Sequence, residues 1–371
     1  MIHLSVIIPV RNEAEHITEV LDRLLAQQYE TGKLEILVVD GMSDDATPQI
    51  VQKYAQEHSH IRYLENPKKL SSAARNVGIQ NAQGEAVLIV DGHCIIDNDD
   101  MLRNVSEAFT KSGADCLGRP QPLEMKDATP LQWAIATARR SPLGHHPDSF
   151  VYSDQACFAP ASSVAVAYRK SVFEKVGLFD ENFDACEDVE MNTRIDAAGL
   201  KCWFDPAIAV RYVPRKTLRG LRTQMERYGH GRVRLWRKHR HTASWKSFAP
   251  GFFVVGAIVA GLILLSHTAM CLTPEYFGMV RGLSPFNALA WISVVLLGTY
   301  AMAILAESIH ALLRLIFFQK ESEPAERRAP FLCPTVFAII HFGYGWGILR
   351  EFFFPKRVVS VGQERGAVKG T

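Results

Sequence analysis

The chain has 371 residues, 22% of them charged and 48% hydrophobic, and a formal net charge of +2 at pH 7. This length permits a sizeable core and predicts two structural units rather than one. The near-neutral charge excludes little, because it averages a mixed segment over residues 1–210, a strongly basic one over 211–241 and an apolar one from Phe248 onward. The seven cysteines are scattered without a C-x-x-C pair, which argues against a disulfide framework or a zinc site and fits a reducing compartment.

The first half of the chain alternates strand and helix patterns. The continuous apolar run Leu4–Val10 predicts a strand covered on both faces, and further strands are predicted at Leu34–Val39, Ile61–Leu64, Glu85–Val90 and Val164–Tyr168. Helical patterns stand between them, and we expect Asn12 and Glu15 to form a capping box at the start of the first helix. Strands that alternate with helices predict an α/β fold with a mostly parallel, mixed sheet. The carboxyl ends of such strands meet at one edge of the sheet, where ligands bind.

The second half is helical. A helix pattern over Asp188–Ala198 is closed by Gly199, and a long basic, amphipathic helix is predicted over Leu218–Lys238. Three apolar segments follow, at about residues 252–272, 288–306 and 331–349. Each is close to the ~20 residues that a helix needs to cross ~30 Å of hydrocarbon. The chain is therefore predicted to end in membrane helices.

These patterns divide the chain into four parts. They are an α/β domain over residues 1–210, a basic amphipathic interface helix over 211–247, membrane segments within 248–350 and a tail over 351–371. The first domain has no signal peptide, and basic residues precede the first apolar segment, so we expect this domain to be cytoplasmic. Three full spans would place the tail outside, although its basic residues favour the inside. The third apolar segment is therefore open to three arrangements: it spans, re-enters or lies in the interface.

Acidic residues follow two of the predicted strands. Asp40 comes directly after the second strand, with Asp44 close behind, and such carboxylates can accept hydrogen bonds from a nucleotide base or a ribose. The alternative is an ordinary strand-to-helix turn. Asp91 and His93 follow a later strand and could face a Mn²⁺ or Mg²⁺ ion that bridges two phosphates. For His93 the alternative is a polar loop residue.

Two further helix starts carry charged candidates. Arg75 lies near the predicted start of a helix, where it could pair with a diphosphate. The alternative, which the local pattern alone favours, is a surface arginine on an amphipathic helix. Glu187 and Asp188 are adjacent acids at the start of another helix, where acids also favour the helix dipole. Neighbouring side chains point in different directions, so we expect only one of the two to aim at a substrate atom.

The basic helix contains Gln224, Arg227 and Tyr228, which share a face at spacings of three and four residues. An arginine there could reach a diphosphate, and a tyrosine could stack on a sugar. The alternative for this face is contact with anionic lipid headgroups. We expect both kinds of contact.

Taken in order, these motifs resemble those of family 2 glycosyltransferases with the GT-A fold. The resemblance spans about residues 4–230 and rests on the series SVIIPVRNEAEHI, VVDGMSDD, SSAARNVGI, VDGH, EDVEMNTRIDAAG and QMERY. It implies that Asp40 and Asp44 contact the donor nucleotide and that Asp188 is the catalytic base. It also implies that Asp91 is the first acid of the family's D-x-D metal motif, with His93 in place of the second.

The end of the series is similar to the family's Q-x-x-R-W motif, with tyrosine in place of tryptophan. The resemblance implies that this part of the chain, Gln224, Arg227 and Tyr228, belongs to the donor site. The D-G-H variant followed by membrane segments is also similar to succinoglycan-type exopolysaccharide glycosyltransferases. The expected activity is an inverting transfer of a sugar from a nucleotide-diphosphate donor, with a UDP-sugar as the expected donor and Mn²⁺ or Mg²⁺ as the cofactor.

The expected acceptor is a membrane-associated, polyprenyl-diphosphate-linked saccharide used in extracellular polysaccharide synthesis. The protein is expected to work at the membrane. A polysaccharide-assembly complex is a further candidate partner, and no nucleic-acid partner is expected. Two alternatives remain open. One is a polyprenyl-phosphate glycosyltransferase, which would differ only in its acceptor. The other is a non-catalytic nucleotide-sugar-binding subunit of a polysaccharide export complex, which His93 in place of an acid would favour.

Overall fold

A computed structural model describes residues 1–144, 150–243, 245–272, 285–318 and 323–355, and residues 356–371 of the predicted tail lie outside this range. The chain forms two compact units. Among the described residues, the first unit comprises residues 1–124 and 150–213, and the second comprises residues 125–144 and those from 214 onward. The predicted division at residue 210 and the boundaries that follow it stay predictions.

The first unit contains ten strands and seven helices among its described residues. The strands are β1 (Leu4–Val10), β2 (Leu34–Asp40), β3 (Ile61–Glu65), β4 (Ala86–Ile89), β5 (Cys94–Ile95), β6 (Cys116–Gly118), β7 (Cys157–Phe158), β8 (Ala165–Arg169), β9 (Cys202–Phe204) and β10 (Arg211–Tyr212). The helices are α1 (Ile17–Leu25), α2 (Thr47–Glu57), α3 (Ser71–Asn81), α4 (Met101–Ser112), α6 (Ala161–Val164), α7 (Lys170–Val176) and α8 (Glu187–Ala197), while α5 (Pro130–Arg140) belongs to the second unit.

Eight of these strands form one mixed sheet in the order β3-β2-β1-β4-β8-β6-β9-β7. Strands β3, β2, β1 and β4 are all parallel, whereas β8 runs antiparallel to both β4 and β6. Strand β10 pairs with β5 in a separate two-stranded sheet. The predicted α/β fold with a mostly parallel, mixed sheet is confirmed. Because β1, β2 and β4 are parallel, their carboxyl ends lie at the same edge of the sheet.

The apolar strands are buried because helices cover both faces of the sheet. On one face, Val6 and Ile8 of β1 pack in a core with α1 and α4. On the other face, Ile7 packs with Ala74 of α3 and Met191 of α8. Successive side chains of a strand point to opposite faces, so a strand covered twice is apolar at most positions. The buried exceptions in β1 and β2, Ser5 and Glu35, satisfy each other, because the Ser5 hydroxyl donates to Oε1 of Glu35 at 2.5 Å.

Helix α3 lies unusually close to the sheet. A Cβ atom added to Gly78 would lie 2.5 Å from Cγ2 of Ile7, so only glycine fits between α3 and β1 at this point. The close approach fixes the start of α3 near the carboxyl ends of the strands. This matters for the site, because α3 carries Arg75.

The predicted capping box is wrong. Helix α1 begins at Ile17 with His16 before it, and no side chain caps it. Asn12 instead has a left-handed backbone conformation, with φ of 58°. Its side-chain oxygen accepts a hydrogen bond from the Asp44 N–H at 3.0 Å, so it ties two loops together rather than starting a helix.

The described part of the second unit consists of α5 and four further helices. These are α9 (Leu218–Lys238), α10 (Trp245–Leu272), α11 (Pro285–Phe318) and α12 (Pro324–Phe353). The basic helix α9 has the predicted bounds, and the three apolar helices extend beyond the predicted segments at both ends or at one end. Each of the three is long and apolar enough to cross a membrane, judged by length and composition alone.

Candidate active site

The two predicted acidic strand ends lie on either side of β1. In the register of the sheet, Val10 pairs with Asp40 of β2, and Ile7 pairs with Ile89 of β4, two residues before Asp91. Neighbouring strands are about 4.8 Å apart, so positions on β2 and β4 are separated by about 10 Å. A nucleotide that bridges the end of β1 could therefore reach both acids.

Asp40 is almost completely buried, with an exposed fraction of 1%. The backbone N–H of Ser43 donates to its Oδ2 at 3.0 Å, and the hydroxyl of Ser43 donates to Oδ1 at 2.5 Å. The hydroxyl of Tyr63 also donates to Oδ2, at 3.2 Å. Asp40 thus orders the turn that follows β2.

Asp44, which lies in the same turn, is exposed. The turn is held against the loop after β1, because the Asn12 N–H donates to Oγ of Ser43 at 2.8 Å. Asn12 and Met42 both have left-handed backbone conformations, with φ of 58° and 57°. The loops therefore present Asp44 to solvent from a well-anchored backbone.

Asp91 is held by two side chains from distant parts of the chain. The hydroxyl of Tyr212 donates to its Oδ2 at 2.8 Å, and Nη2 of Arg75 lies 3.9 Å from its Oδ1. Burial alone would raise the pKa of Asp91, but the positive charge of Arg75, with smaller effects from His93, Tyr212 and Arg119, lowers it below its ordinary value. The Asp91 carboxylate is therefore ionised at neutral pH.

Arg75 lies between Asp91 and Glu187. Its Nη1 is 3.3 Å from Oε1 of Glu187, and both side chains have an exposed fraction of only 11%. Burial works to lower the pKa of Arg75, but Glu187, Asp188 and Asp91 together outweigh it and hold the pKa above its ordinary value. Arg75 is therefore a permanently charged link between the end of β4 and the start of α8.

Glu187 and Asp188 differ sharply in their surroundings. Glu187 is buried, and burial raises its pKa although Arg75 opposes the shift. Asp188 is exposed, and its Oδ1 accepts only a local bond from the Val189 N–H, at 2.8 Å, among the contacts described for it. The start of the helix thus turns one acid inward to Arg75 and the other outward.

The segment before α8 is fastened to α3. Asn76 exchanges two hydrogen bonds of 2.9 Å with the backbone N–H and carbonyl of Phe179. The hydroxyl of Ser72 donates to the Phe183 carbonyl at 3.2 Å. Cys186 immediately before α8 has a φ of 60°, a left-handed conformation that sets the direction in which the helix starts. These contacts hold the start of α8 beside α3, where the charge of Asp188 acts on Arg75.

The predicted metal ligands, Asp91 and His93, do not form a complete metal site by themselves. Within the described ranges, no group of three or more His, Cys, Asp or Glu side chains is placed to hold a metal ion. Nδ1 of His93 lies 2.9 Å from Oε1 of Glu13. Mg²⁺ is usually bound by one or two carboxylates, water and substrate phosphates, so Asp91 fits a cation that is held largely by a diphosphate.

Gln224, Arg227 and Tyr228 lie on α9 in the second unit. Nε2 of Gln224 donates to the hydroxyl of Tyr228 at 3.2 Å, across one helical turn. Both Arg227 and Tyr228 are exposed. Their assignment to the donor site stays a prediction.

The sequence reasoning missed Tyr212, Tyr63 and the inward role of Glu187. Tyr212 contacts Asp91 across 121 residues of chain, so no local pattern points to the contact. It also missed Arg119, which is 1% exposed and donates from Nη2 to the carbonyl of Ile89 at 3.2 Å. Only Glu187 had a usable signal, because it adjoins Asp188 and one of the two acids had to point inward.

Comparisons with known proteins identify the family of this chain. The model of glycosyl transferase family 2 matches residues 5–177, and that of glycosyl transferase family group 2 matches residues 132–348, more than half of the chain. The chain is 28% identical over 271 residues to the succinoglycan biosynthesis protein ExoA of Rhizobium meliloti (strain 1021), covering 72% of this chain and 80% of that protein.

Two more comparisons concern an archaeal enzyme and a solved structure. The first is a dolichyl N-acetyl-alpha-D-glucosaminyl phosphate 3-beta-D-2,3-diacetamido-2,3-dideoxy-beta-D-glucuronosyltransferase of Methanococcus voltae, 27% identical over 71% of this chain and 84% of that enzyme. The second is the mannosyltransferase PcManGT of Pyrobaculum calidifontis, solved in complex with GDP-Man and Mn²⁺. It has a TM-score of 0.52 at 19% identity and covers 93% of this chain and 87% of that one, which indicates a shared fold. The chain belongs to the family 2 glycosyltransferases and has the GT-A fold.

Proposed function

We propose that the protein is an inverting glycosyltransferase that moves a sugar from a UDP-sugar to a polyprenyl-diphosphate-linked saccharide at the membrane, for extracellular polysaccharide synthesis. The observation that carries the proposal is the link Asp91–Arg75–Glu187, with contacts of 3.9 and 3.3 Å. This link joins a strand end suited to a diphosphate with a helix start that bears an exposed carboxylate, Asp188. A transferase needs those two functions side by side.

In the proposed reaction, Asp188 accepts the proton of an acceptor hydroxyl. The hydroxyl oxygen forms a bond to the anomeric carbon from the face opposite the leaving group. The bond between that carbon and the diphosphate oxygen breaks, and its electron pair leaves with the nucleoside diphosphate. One displacement inverts the configuration at the anomeric carbon.

Other residues of the proposed donor site would serve the leaving group. Asp91 would hold a divalent cation, which when bound neutralises charge on the diphosphate. Arg75 adds a fixed positive charge beside Asp91, and Arg227 is proposed as a second cation for the diphosphate, because it is exposed and belongs to the Q-x-x-R motif. Gln224 and Tyr228 would complete this donor contact, and His93 would be a second metal ligand.

The nucleoside would lie against the loop after β2. Asp44 is exposed and would contact the nucleoside directly. Asp40 would contact the nucleoside by giving up the hydrogen bond that it accepts from Tyr63 and accepting one from the nucleoside instead. The hydrogen bond from the Ser43 N–H would keep the turn in place. The loop between β2 and α2 therefore contributes mainly to donor affinity.

The membrane acceptor is supported by the three apolar helices and by the names of the relatives. One relative functions in succinoglycan biosynthesis, and the other is named for a transfer to a dolichyl-phosphate-linked saccharide. We therefore propose a multi-pass membrane protein whose first unit is cytoplasmic. A polysaccharide-assembly complex would be its further partner.

The test uses the full chain purified in detergent or nanodiscs. A panel of UDP- and GDP-sugars is offered with Mn²⁺, Mg²⁺ or chelator, together with either a lipid-linked saccharide or bare polyprenyl phosphate. The proposal expects metal-dependent transfer from a UDP-sugar to the lipid-linked saccharide, with an inverted anomeric configuration in the product by NMR. Transfer to bare polyprenyl phosphate alone would contradict the proposed acceptor, and retention of configuration would contradict the mechanism.

A further inference from the structure

Helix α12 has two different faces. Its packed face includes Cys333, Val336, Phe337 and Ile340, which belong to the core of the second unit. Its outer face consists of residues 331, 335, 338, 342, 346, 349 and 353, which are all uncharged and follow one helical stripe. Three large apolar side chains of that stripe are exposed: Phe331 by 72%, Trp346 by 45% and Phe353 by 65%. The fourth, Phe342, is 39% exposed and packs against Phe253 of α10, with ring centroids 5.3 Å apart.

The first half of α12 packs along α5. Ala329 and Cys333 lie in one core cluster with Ala134 of α5. Further along, Nε2 of His341 hydrogen-bonds the carbonyl of Leu143, just after α5, at 2.8 Å. Helix α5 ends in Arg139 and Arg140, so this half of α12 is bound to a segment that carries charge.

The second half of α12 packs along α9 in direct backbone contact. A Cβ atom on Gly347 would lie 2.2 Å from the Glu226 carbonyl oxygen, and one on Gly229 would lie 2.3 Å from the Tyr344 carbonyl oxygen. Small residues that let two backbones touch make a tight helix pair. The two helices cannot separate without losing this packing.

Ion pairs lock the same helix pair at its end. Nε and Nη2 of Arg234 lie 3.1 and 3.2 Å from the two carboxylate oxygens of Glu351. Nη2 of Arg237 donates to the backbone carbonyls of Glu351 and Phe352, both at 3.0 Å. The end of α12 is therefore held beside a helix with arginines along its length.

These contacts limit the depth of α12 in a bilayer. They extend from Ala329 to Glu351, about 33 Å at 1.5 Å per residue, whereas the hydrocarbon core is about 30 Å thick. If α12 crossed the bilayer along its normal, the charged end of α5 at Arg139 and Arg140 or the arginines of α9 would enter the hydrocarbon. Charges at that depth are expensive unless they are paired or reach water.

The other two apolar helices meet α12 over short stretches, near the start of α10 and around Tyr300 of α11. Helices α10 and α11 pack as an antiparallel pair, with a 2.9 Å hydrogen bond between His267 and Asn287 and with the ring centroids of Phe253 and Tyr300 4.5 Å apart. Helix α12 meets α10 at Gly251, early in that helix, where a Cβ atom would lie 3.0 Å from Cγ2 of Ile348. Of the most apolar 18-residue stretch of α12, 44% of the residues are buried inside the protein, compared with 17% for the corresponding stretches of α10 and of α11.

We propose that α12 lies in the plane of the membrane, with the outer stripe from Phe331 to Phe353 in the lipid interface, and that only α10 and α11 cross the bilayer. The occupant of the stripe is lipid, because the stripe is apolar and its neighbours are basic helices that favour anionic headgroups. The chain before α10 and the chain after α12 are then on the same side. This arrangement places the basic tail inside, which three spans would not do. The proposal does not depend on which donor and acceptor the enzyme uses.

The test places reporters on the full chain expressed in a bacterium. Green fluorescent protein or alkaline phosphatase is fused after Thr371. In a separate variant, alkaline phosphatase is inserted between α10 and α11. The proposal expects a fluorescent C-terminal fusion, an inactive C-terminal phosphatase and an active phosphatase between α10 and α11. An active phosphatase after Thr371 would overturn it.

A matched pair of arginine substitutions tests the depth of α12 directly. Leu296→Arg lies in the middle of α11 and Trp346→Arg lies on the outer stripe of α12, and both positions are exposed in the structure. We expect Leu296→Arg to reduce the amount of membrane-inserted protein about tenfold, and Trp346→Arg to change it less than twofold, because an interfacial arginine reaches water. An equal loss in both variants would overturn the proposal, whatever the transferase assay shows.

Discussion

The adjacent acids Glu187 and Asp188 allow a sharp test of the mechanism, because the same chemical change at each should have a different effect. Asp188→Asn changes an exposed side chain, so we expect the free energy of unfolding to change by at most about 0.5 kcal/mol. A general base contributes about 10²–10⁴ in rate, and we expect the turnover number to fall by about that factor. The dissociation constant of the donor should change less than threefold.

Glu187→Gln changes a buried partner of Arg75. At an effective dielectric constant of about 20, a separation of 3.3 Å corresponds to about 5 kcal/mol of attraction. The burial that raises the pKa of Glu187 offsets much of this, and glutamine can still accept a hydrogen bond. We therefore expect the free energy of unfolding to fall by about 1–3 kcal/mol. Turnover should fall less than in Asp188→Asn.

The assay compares both variants with the parent by thermal unfolding, by calorimetric titration with the donor and by turnover at saturating donor. If Glu187→Gln loses as much turnover as Asp188→Asn and keeps its thermal stability, Glu187 is the base. If donor affinity and turnover fall together in Asp188→Asn, Asp188 binds the donor instead. Either result would refute the assignment of the outward acid as the base.

Three other predictions follow from contacts inside the first unit and inside the second. Asp91→Asn should weaken Mn²⁺-dependent donor binding about tenfold or more by calorimetry, and an equal loss without metal would mean that Asp91 does not act through the cation. Tyr212→Phe removes a 2.8 Å bond to Asp91, so it should lower Mn²⁺-dependent donor affinity severalfold while the circular dichroism spectrum stays unchanged, and unaltered affinity would contradict its positioning role. Glu351→Ala removes the carboxylate that pairs with the buried guanidinium of Arg234, so it should cost about 3–5 kcal/mol in the free energy of unfolding. The double change Arg234→Met with Glu351→Leu should recover most of this, and equal losses would show that the pair itself stabilises the fold.

Local chemistry in the sequence was sufficient for most of the secondary structure. Strand β1 has the predicted bounds Leu4–Val10, and α9 has the predicted bounds Leu218–Lys238, because continuous apolar runs and helical periodicity are local properties. The capping box at Asn12 was wrong for the opposite reason. Its side chain found a donor in the Asp44 N–H, 32 residues away, and that contact replaced the local cap.

The candidate site was only partly readable from the sequence. The order of motifs indicated which acids follow which strands, and parallel strands bring such ends to one edge. The sequence did not indicate that Asp40 is buried by Ser43 and Tyr63, since Tyr63 lies on the neighbouring strand. It also did not indicate that Arg75 connects Asp91 with Glu187, because that contact depends on how α3 and α8 pack.

The sequence by itself determined the fold class, the family and the presence of three long apolar helices, since these depend on residue type and spacing. Only the tertiary structure decided which acid of the pair Glu187 and Asp188 turns inward, and that α12 is held along its length by α5 and α9. Hydropathy records how apolar a helix is, but not which helices pack against it. The depth of a helix in a membrane depends on the charges of those neighbours, and they come from residues far away in the chain.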